Sequence, residues 1–244
     1  MTVVVVSQPM FLPWIGLFDQ MRLADVFVHY DDVQMPQGRS FTARVQLATP
    51  EGTRWLTAPI DRAASGKAIN ETMLQADDDW RRKHLEGLRH AYARAPNFAA
   101  MFDLAREVYA APTTNLAAFN MTALECIAKR IGLNPTWRRS SALDIPGSGT
   151  QRLVDLSARF DADTYLTGHG AANYMDHDAF EARGMDVAYM TYGAKPWPQI
   201  MPEFTPYVTI FDLLASVPFD EAREHMTSTM TPWRDFHKTK ERAR

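Results

Sequence analysis

The first 30 residues pass from an apolar run through a rigid loop and a helix-like segment into a second apolar run. The runs are TVVVV at residues 2–6 and DVFVHY at residues 25–30, with LFDQMRLA at residues 17–24 between them. An unbroken apolar run without polar alternation is typical of a strand buried on both faces, as in parallel sheets. Two parallel strands need a crossover, and the intervening segment has the pattern of a helix. This unit restricts the chain to folds built on a parallel sheet.

Patterns further along the chain extend this unit. SFTARVQLA and TRWLTAPI, separated by TPEG, predict a β-hairpin, and residues 79–132 have helical periodicity broken at prolines and an asparagine. Strand and helix patterns alternate again over residues 134–212, and the segment 233–244 is basic. The sequence therefore predicts one α/β domain over residues 1–244, with a Rossmann-like, mostly parallel sheet, a helical insertion at about 79–132 and a frayed basic tail at 233–244. We expect VVVV, DVFVHY, DTYLT and DVAYM to be neighbours in that sheet.

Composition narrows the class of protein. With 244 residues, 46% of them hydrophobic, and a net charge of −3, the chain has the composition of an ordinary soluble protein rather than one that binds nucleic acid over its whole surface. Cys126 is the only cysteine, so an intrachain disulfide and a thiolate zinc site are excluded, and its helical spacing favours a core thiol. The sequence shows neither a signal peptide nor a membrane-spanning run, which predicts a cytoplasmic protein.

Three glycine- or proline-containing loops follow predicted strands. They are SQPMFLPWIG (residues 7–16), DIPGSGT (144–150) and GHGAANY (168–174). Ligands of open parallel sheets bind outside the carboxyl ends of the strands, where loops lead into helices. We expect the three loops to form the rim of one pocket shared by Gln8, Trp14, Asp31, Arg44, His169 and Gln199.

The first loop carries more special residues than a turn requires. Pro9 fixes the backbone, and Gln8 and the amides near Gly16 can hydrogen-bond a polar group. Phe11 or Trp14 can stack on a planar ligand or fill the core, and the sequence leaves both interpretations open.

The other two loops offer a base and an anion site. His169 lies between Gly168 and Gly170 at a predicted strand end, with Tyr174 nearby, and can act as a general base or as a surface side chain. The second loop can bind an anion at a helix N-terminus or form a simple turn with an N-cap. Its anion-binding candidates are Gly147, Ser148, Gly149 and Thr150.

Charged residues after the second strand complete the candidate set. Asp31 is assigned to catalysis and Asp32 to substrate binding, since such carboxylates can orient an amine, a ribose hydroxyl or a divalent ion, or can simply form a turn. Arg39 and Arg44 can clamp a phosphate or carboxylate, or can be solvated surface charges. No spacing typical of a transition-metal site occurs, and no cofactor is identified.

Residues 81–94 are rich in arginine and histidine at helical spacing. A solvated helix face explains this pattern, and binding of a phosphate-rich partner such as tRNA is the alternative.

The order of these motifs resembles the WbqC-like protein family. The resemblance rests on VVVVSQPMFLPWIG, ADVFVHYDDVQ, SFTARVQL, WLTAPI, TYLTGHGAANYM and PWPQIMPEFTPYVTIFDLL, from about residue 3 to residue 217. It implies a bacterial protein tied to polysaccharide or O-antigen biosynthesis, and it adds Gln34, Lys195 and Gln199 to the substrate-binding candidates.

Two positions depart from the family pattern. Related sequences tend to carry Asn where this chain has Ala43, and His-Pro where it has Ala194 and Lys195. If that histidine carries a proton in the family, the role here is lost or moved to His169.

Two functions are consistent with these features. One is a biosynthetic transferase of polysaccharide or secondary-metabolite type that moves an acyl, aminoacyl or related group to a small amine or nucleotide-sugar. The other is a protein that binds a nucleotide-sugar or RNA without chemistry.

Overall fold

Six strands form one sheet and two form a separate hairpin. The computed structural model describes residues 1–38, 40–61, 66–77 and 79–242. The sheet contains β1 (Val3–Ser7), β2 (Val26–His29), β5 (Thr136–Arg139), β6 (Thr164–Thr167), β7 (Asp186–Thr191) and β8 (Thr229–Pro232), and the hairpin contains β3 (Arg44–Thr49) and β4 (Gly52–Thr57). The strand order is β5-β2-β1-β6-β7-β8, and all neighbouring pairs are parallel except β7 with β8. The predicted Rossmann-like sheet is therefore confirmed, including the four neighbouring strands named from the sequence.

Eight α-helices accompany the sheet within the described residues. They are α1 (Ile15–Arg22), α2 (Asp79–Tyr92), α3 (Phe98–Tyr109), α4 (Leu116–Arg130), α5 (Gly149–Ala158), α6 (His177–Glu181), α7 (Ile210–Ser216) and α8 (Trp233–Arg242). Helices α2, α3 and α4 coincide with the helical insertion predicted at 79–132.

The run VVVV is apolar because β1 is covered on both faces. Val3 and Val5 belong to one buried cluster with Phe18 of α1, and Val4 belongs to a second cluster with Val154 of α5. Alternate residues of a strand point to opposite faces, so a strand between two layers of helices needs apolar residues at every position.

The C-terminal segment differs from the predicted frayed tail. Residues 233–242 form α8, with Trp233 and Phe236 packed against the second cluster. The indole of Trp233 donates a hydrogen bond to Glu181 at 2.9 Å and stacks on His177 at 4.3 Å. The basic residues of this segment predict a solvated tail, but its aromatic side chains pack against the domain and determine its position.

A buried histidine on α2 makes stability depend on pH. His84 packs among the rings of Phe11, Trp80 and Tyr109, and burial lowers its pKa to about 4. Well above pH 6.5 the imidazole is neutral in both states, but as the pH falls through 6.5 toward 4 the unfolded chain takes up a proton that the folded chain does not. We expect the wild type to lose about 3 kcal/mol of unfolding free energy over this range that His84→Phe does not lose. Urea unfolding of both proteins at pH 7 and pH 4 measures the difference, and equal losses would contradict this assignment.

Candidate functional site: an aromatic pocket at the first crossover

The loop between β1 and α1 forms one wall of a pocket that the hairpin and the segment before α7 complete. The cavity has a volume of about 220 Å³. This is below the range of drug-sized pockets, so it accommodates one ring with its substituents. The lining residues are Met10, Phe11, Pro13, Trp14, Phe41, Arg44, Val45 and Tyr207.

Large aromatic rings surround the pocket, and several of them are exposed. The Trp14 and Tyr207 rings lie 5.2 Å apart, and the Phe41 and Trp55 rings lie 6.4 Å apart. Tyr207 is 61% exposed and Phe41 53% exposed. Aromatic side chains with accessible faces provide stacking surfaces for flat or cyclic ligands.

Arg44 supplies a positive charge at this aromatic surface. Its guanidinium lies 3.8 Å from the centre of the Trp55 ring. Its Nε is buried without a hydrogen-bond partner, and no described carboxylate forms an ion pair with it. An arginine held by a ring and without a counter-ion can bind an anionic group with two parallel hydrogen bonds.

Hydrogen bonds to the backbone hold the pocket wall in place. The fully buried Asn120 of α4 donates to the carbonyls of Pro9 at 3.0 Å and Thr42 at 2.8 Å. The hydroxyl of Thr209 donates to the carbonyl of Leu12, a buried residue with φ of +45°. A non-glycine residue in the left-handed region is strained and persists only where its surroundings hold it. The pocket is thus formed before any ligand arrives.

Gly16 allows Trp14 to take its position in the wall. A Cβ atom at Gly16 would overlap the indole ring of Trp14. Glycine is therefore needed at position 16 because the Trp14 indole occupies the space that a side chain would take.

Replacing Gly16 tests whether this position must lack a side chain for Trp14 to lie in the pocket wall. We expect Gly16→Ala to push Trp14 out of the wall and to cost about 1–3 kcal/mol of stability, as overpacking does. Tryptophan fluorescence and thermal unfolding would report both effects. Gly87→Ala in α2 is the control, because a Cβ there meets nothing within 4 Å. It should stabilise the helix by about 0.5–1 kcal/mol. Similar stability and fluorescence for Gly16→Ala and the wild type would contradict the steric argument.

His169 lies beside this pocket, with Tyr192 between them. The Tyr192 ring is 4.9 Å from Trp14 and 5.1 Å from His169, so the rings of Trp14 and His169 are no more than about 10 Å apart. Nε2 of His169 lies 2.6 Å from the carbonyl oxygen of Met190. Since a carbonyl only accepts, Nε2 carries the proton and Nδ1 is left as the basic nitrogen. Gly168 gives Tyr192 room, because a Cβ there would lie 2.9 Å from the Tyr192 hydroxyl.

Asp32 lines a second, polar cavity of about 420 Å³, and Asp31 lies behind it, hydrogen-bonded to the wall residue Ser141. Asp31 is 2% exposed and accepts hydrogen bonds from the backbone amide of Ser141 at 3.1 Å and from its hydroxyl at 2.7 Å. Both carboxylate oxygens of Asp31 thus hold the loop after β5, and the catalytic role expected from the sequence stays a prediction. Asp32 pairs with Arg152 at 2.5 Å. Burial raises the pKa of Asp32, but hydrogen bonds from Arg152 and Ser140 outweigh it and lower the pKa.

The predicted anion-binding loop borders this polar cavity. Gly147 lines it, and Gly149 begins α5. Ser148 occupies the N-cap position, but its hydroxyl makes no capping hydrogen bond. Thr150 is the second residue of α5 and not its N-cap, and its hydroxyl accepts a hydrogen bond from the Asp176 amide at 3.2 Å.

The remaining predicted residues are dispersed. Gln8 is half-buried directly after β1, while Gln34, Gly170 and Tyr174 are exposed. Lys195 pairs with Glu224 at 3.4 Å. Gln199 lines a third cavity and ties the Thr205 backbone to Asp212. Arg39 lies outside the described residues. The structure does not bring the predicted site residues together in one cavity. Of these residues, Phe11, Trp14 and Arg44 line the aromatic pocket.

Most cations of the basic segment 81–94 already have partners. Arg81 donates to the carbonyls of Tyr109 and Thr113, and His84 is buried. The pairs Arg82–Asp79, Lys83–Asp79 and Arg89–Glu86 lie within α2. This arrangement is typical of a solvated helix face.

Phe41, Trp55, Tyr192 and Tyr207 contribute to the pocket region but were not selected from the sequence. Phe41 lies in SFTARVQL and Tyr207 in TPYVT, two of the segments that carry the family resemblance. An aromatic residue in each of several shared segments is the signal that could have indicated them.

Comparisons with known proteins give the family. A sequence model of the WbqC-like protein family matches residues 8–224, which include the whole pocket. The chain belongs to the WbqC-like protein family. This WbqC-like chain is also similar to the uncharacterized protein Rv1507c of Mycobacterium tuberculosis, with 30% identity over 217 residues that cover 88% of this chain and 93% of the relative. No solved structure gives a significant match. Among its described helices, none is both long and apolar enough to cross a membrane.

Proposed function

We propose that this WbqC-like protein is a biosynthetic transferase whose aromatic pocket binds a small amine with a ring and an anionic group. Amino sugars linked to phosphate or to a nucleotide belong to this chemical class. The reaction moves an acyl or aminoacyl group from an activated ester or thioester to the amine.

The observation that carries the proposal is Arg44. It is held by the Trp55 ring, pairs with no described carboxylate, and lines a pocket with Trp14 and Tyr207. A ligand with a ring and an anionic group can stack on the aromatic side chains and pair with the guanidinium at the same time.

His169 supports the transfer step. Its Nδ1 takes a proton from the amine while the amine nitrogen attacks the donor carbonyl carbon. A nitrogen–carbon bond forms, the carbon–oxygen or carbon–sulfur bond of the donor breaks, and the leaving group receives the proton. The distance of about 10 Å or less between His169 and Trp14 suits a ligand whose ring lies in the pocket and whose amine extends beyond it.

A second candidate is a nucleotide-sugar-binding protein without catalysis. The observation in its favour is position 194, where the family resemblance implies a histidine but this chain has alanine, and the neighbouring Lys195 is paired with Glu224.

Thermal-shift measurements with nucleotide-sugars, sugar phosphates, ATP, acyl-CoA and tRNA test the pocket. We expect a nucleotide-sugar or sugar phosphate to stabilise the wild type, and Arg44→Gln to weaken its binding about 10- to 100-fold through loss of a charge-assisted pair. The control is Arg54→Gln, since Arg54 is 72% exposed on the same hairpin and should leave binding unchanged. Equal binding by Arg44→Gln and the wild type would remove the basis of the proposal. Mass spectrometry with an amine acceptor and an acyl donor then separates a transferase from a binding protein.

A further inference from the structure

A third cavity, of about 420 Å³, lies at the other end of β3 from the aromatic pocket. Arg44 begins β3 at the aromatic pocket, whereas the amide of Ala48 near the other end donates to the Tyr92 hydroxyl in the third cavity. Its walls include the apolar side chains of Pro96 and Ile200, together with Tyr92, Arg94 and Asp212.

Asp212 provides a buried negative charge in this cavity. It is 1% exposed, and its Oδ1 accepts hydrogen bonds from the indole of Trp197 at 2.6 Å and from Gln199 at 2.7 Å. Burial raises the pKa of Asp212 to about 6, which leaves the carboxyl mainly ionised at neutral pH. No described lysine, arginine or histidine forms an ion pair with it. A buried carboxylate without a cation is costly, so a cationic ligand group would offset that cost.

Arg94 provides a positive charge in the same cavity, at an exposed position. Its guanidinium makes no ion pair with a described acid, and it also borders an adjoining depression with His90. The cavity therefore contains a buried anion, an exposed cation and apolar walls.

We propose that this cavity binds an α-amino acid with an apolar side chain. The ammonium group pairs with Asp212, the carboxylate pairs with Arg94, and the side chain packs against Pro96 and Ile200. Both charges of the zwitterion then meet opposite charges that form no ion pair with another described residue. This site is separate from the aromatic pocket and does not rest on the function proposed for it.

Calorimetric titration with leucine, leucine methyl ester and 4-methylpentanoate at pH 7.5 tests each charge. Leucine should bind, and removal of its carboxylate or its ammonium should weaken binding about tenfold or more. Arg94→Gln should weaken leucine binding by a similar factor while leaving the affinity for the methyl ester unchanged. Arg82→Gln, on the same helix and paired with Asp79, is the matched control and should bind leucine normally.

Asp212→Asn should abolish binding of both leucine and its methyl ester. If that variant does not fold, the affinities of the leucine analogues and of Arg94→Gln for leucine still test the proposed site. Absence of leucine binding to the wild type, or unchanged leucine affinity in Arg94→Gln, would overturn the proposal. Arg44→Gln should bind leucine as the wild type does, which distinguishes failure here from failure of the aromatic pocket.

Discussion

His169→Ala is expected to lower kcat by about 10²- to 10⁴-fold while leaving ligand affinity nearly unchanged, because removal of a general base has this effect on rate. The Nε2–H of His169 is held by the Met190 carbonyl, so the ring is oriented and its Nδ1 is the nitrogen that accepts the proton. Loss of one hydrogen bond to a ligand costs only about 1 kcal/mol, which is too small to produce such a rate change.

Single-turnover rates measure this effect once a substrate is known. The variant should retain its substrate Kd while its single-turnover rate falls. An unchanged rate in His169→Ala would dismiss this residue as the base. A large loss in Lys195→Ala instead would place the proton carrier near position 194, where the family resemblance implies a histidine.

Asn120→Ala is expected to lower the free energy of unfolding by about 2–4 kcal/mol, because it leaves two buried carbonyl groups without a donor. Those carbonyls belong to Pro9 and Thr42, which lie in two segments that form the aromatic pocket. The variant should therefore also bind pocket ligands more weakly. Urea unfolding and ligand titration measure the two effects.

Asn97→Ala is the matched control for this variant. The Asn97 amide also donates to two backbone carbonyls, those of Leu214 at 2.8 Å and Val217 at 2.9 Å, but it lies outside the pocket. We expect it to lower stability without changing ligand affinity. If Asn120→Ala kept full affinity, Asn120 would have no role in holding the pocket.

The parallel sheet could be predicted because its signal is local. VVVV is apolar at every position, and Val3 and Val4 indeed lie in different buried clusters on opposite faces. The C-terminal helix could not be predicted in this way, since its packing depends on contacts of Trp233 with His177 and Glu181 far back in the chain.

The candidate site was only partly predictable for a related reason. Trp14 and Arg44 were selected because each stands in a distinctive local pattern, but the stacking partner Tyr207 comes from a segment almost 200 residues after Trp14. Asp31 had the pattern of a catalytic carboxylate at a strand end. Only the structure reveals that Ser141 engages both of its oxygens.

We expect the aromatic pocket to bind a ring with an anionic group. The most direct measurement is a crystal structure of the protein soaked with the compound that stabilises the wild type most in the thermal-shift panel. The ligand ring should be centred about 4.5–7 Å from the ring of Trp14 or Tyr207. An anionic oxygen should lie about 3 Å from the guanidinium of Arg44. Ligand density in the cavity of Asp32 and Arg152, with the aromatic pocket empty, would contradict this expectation.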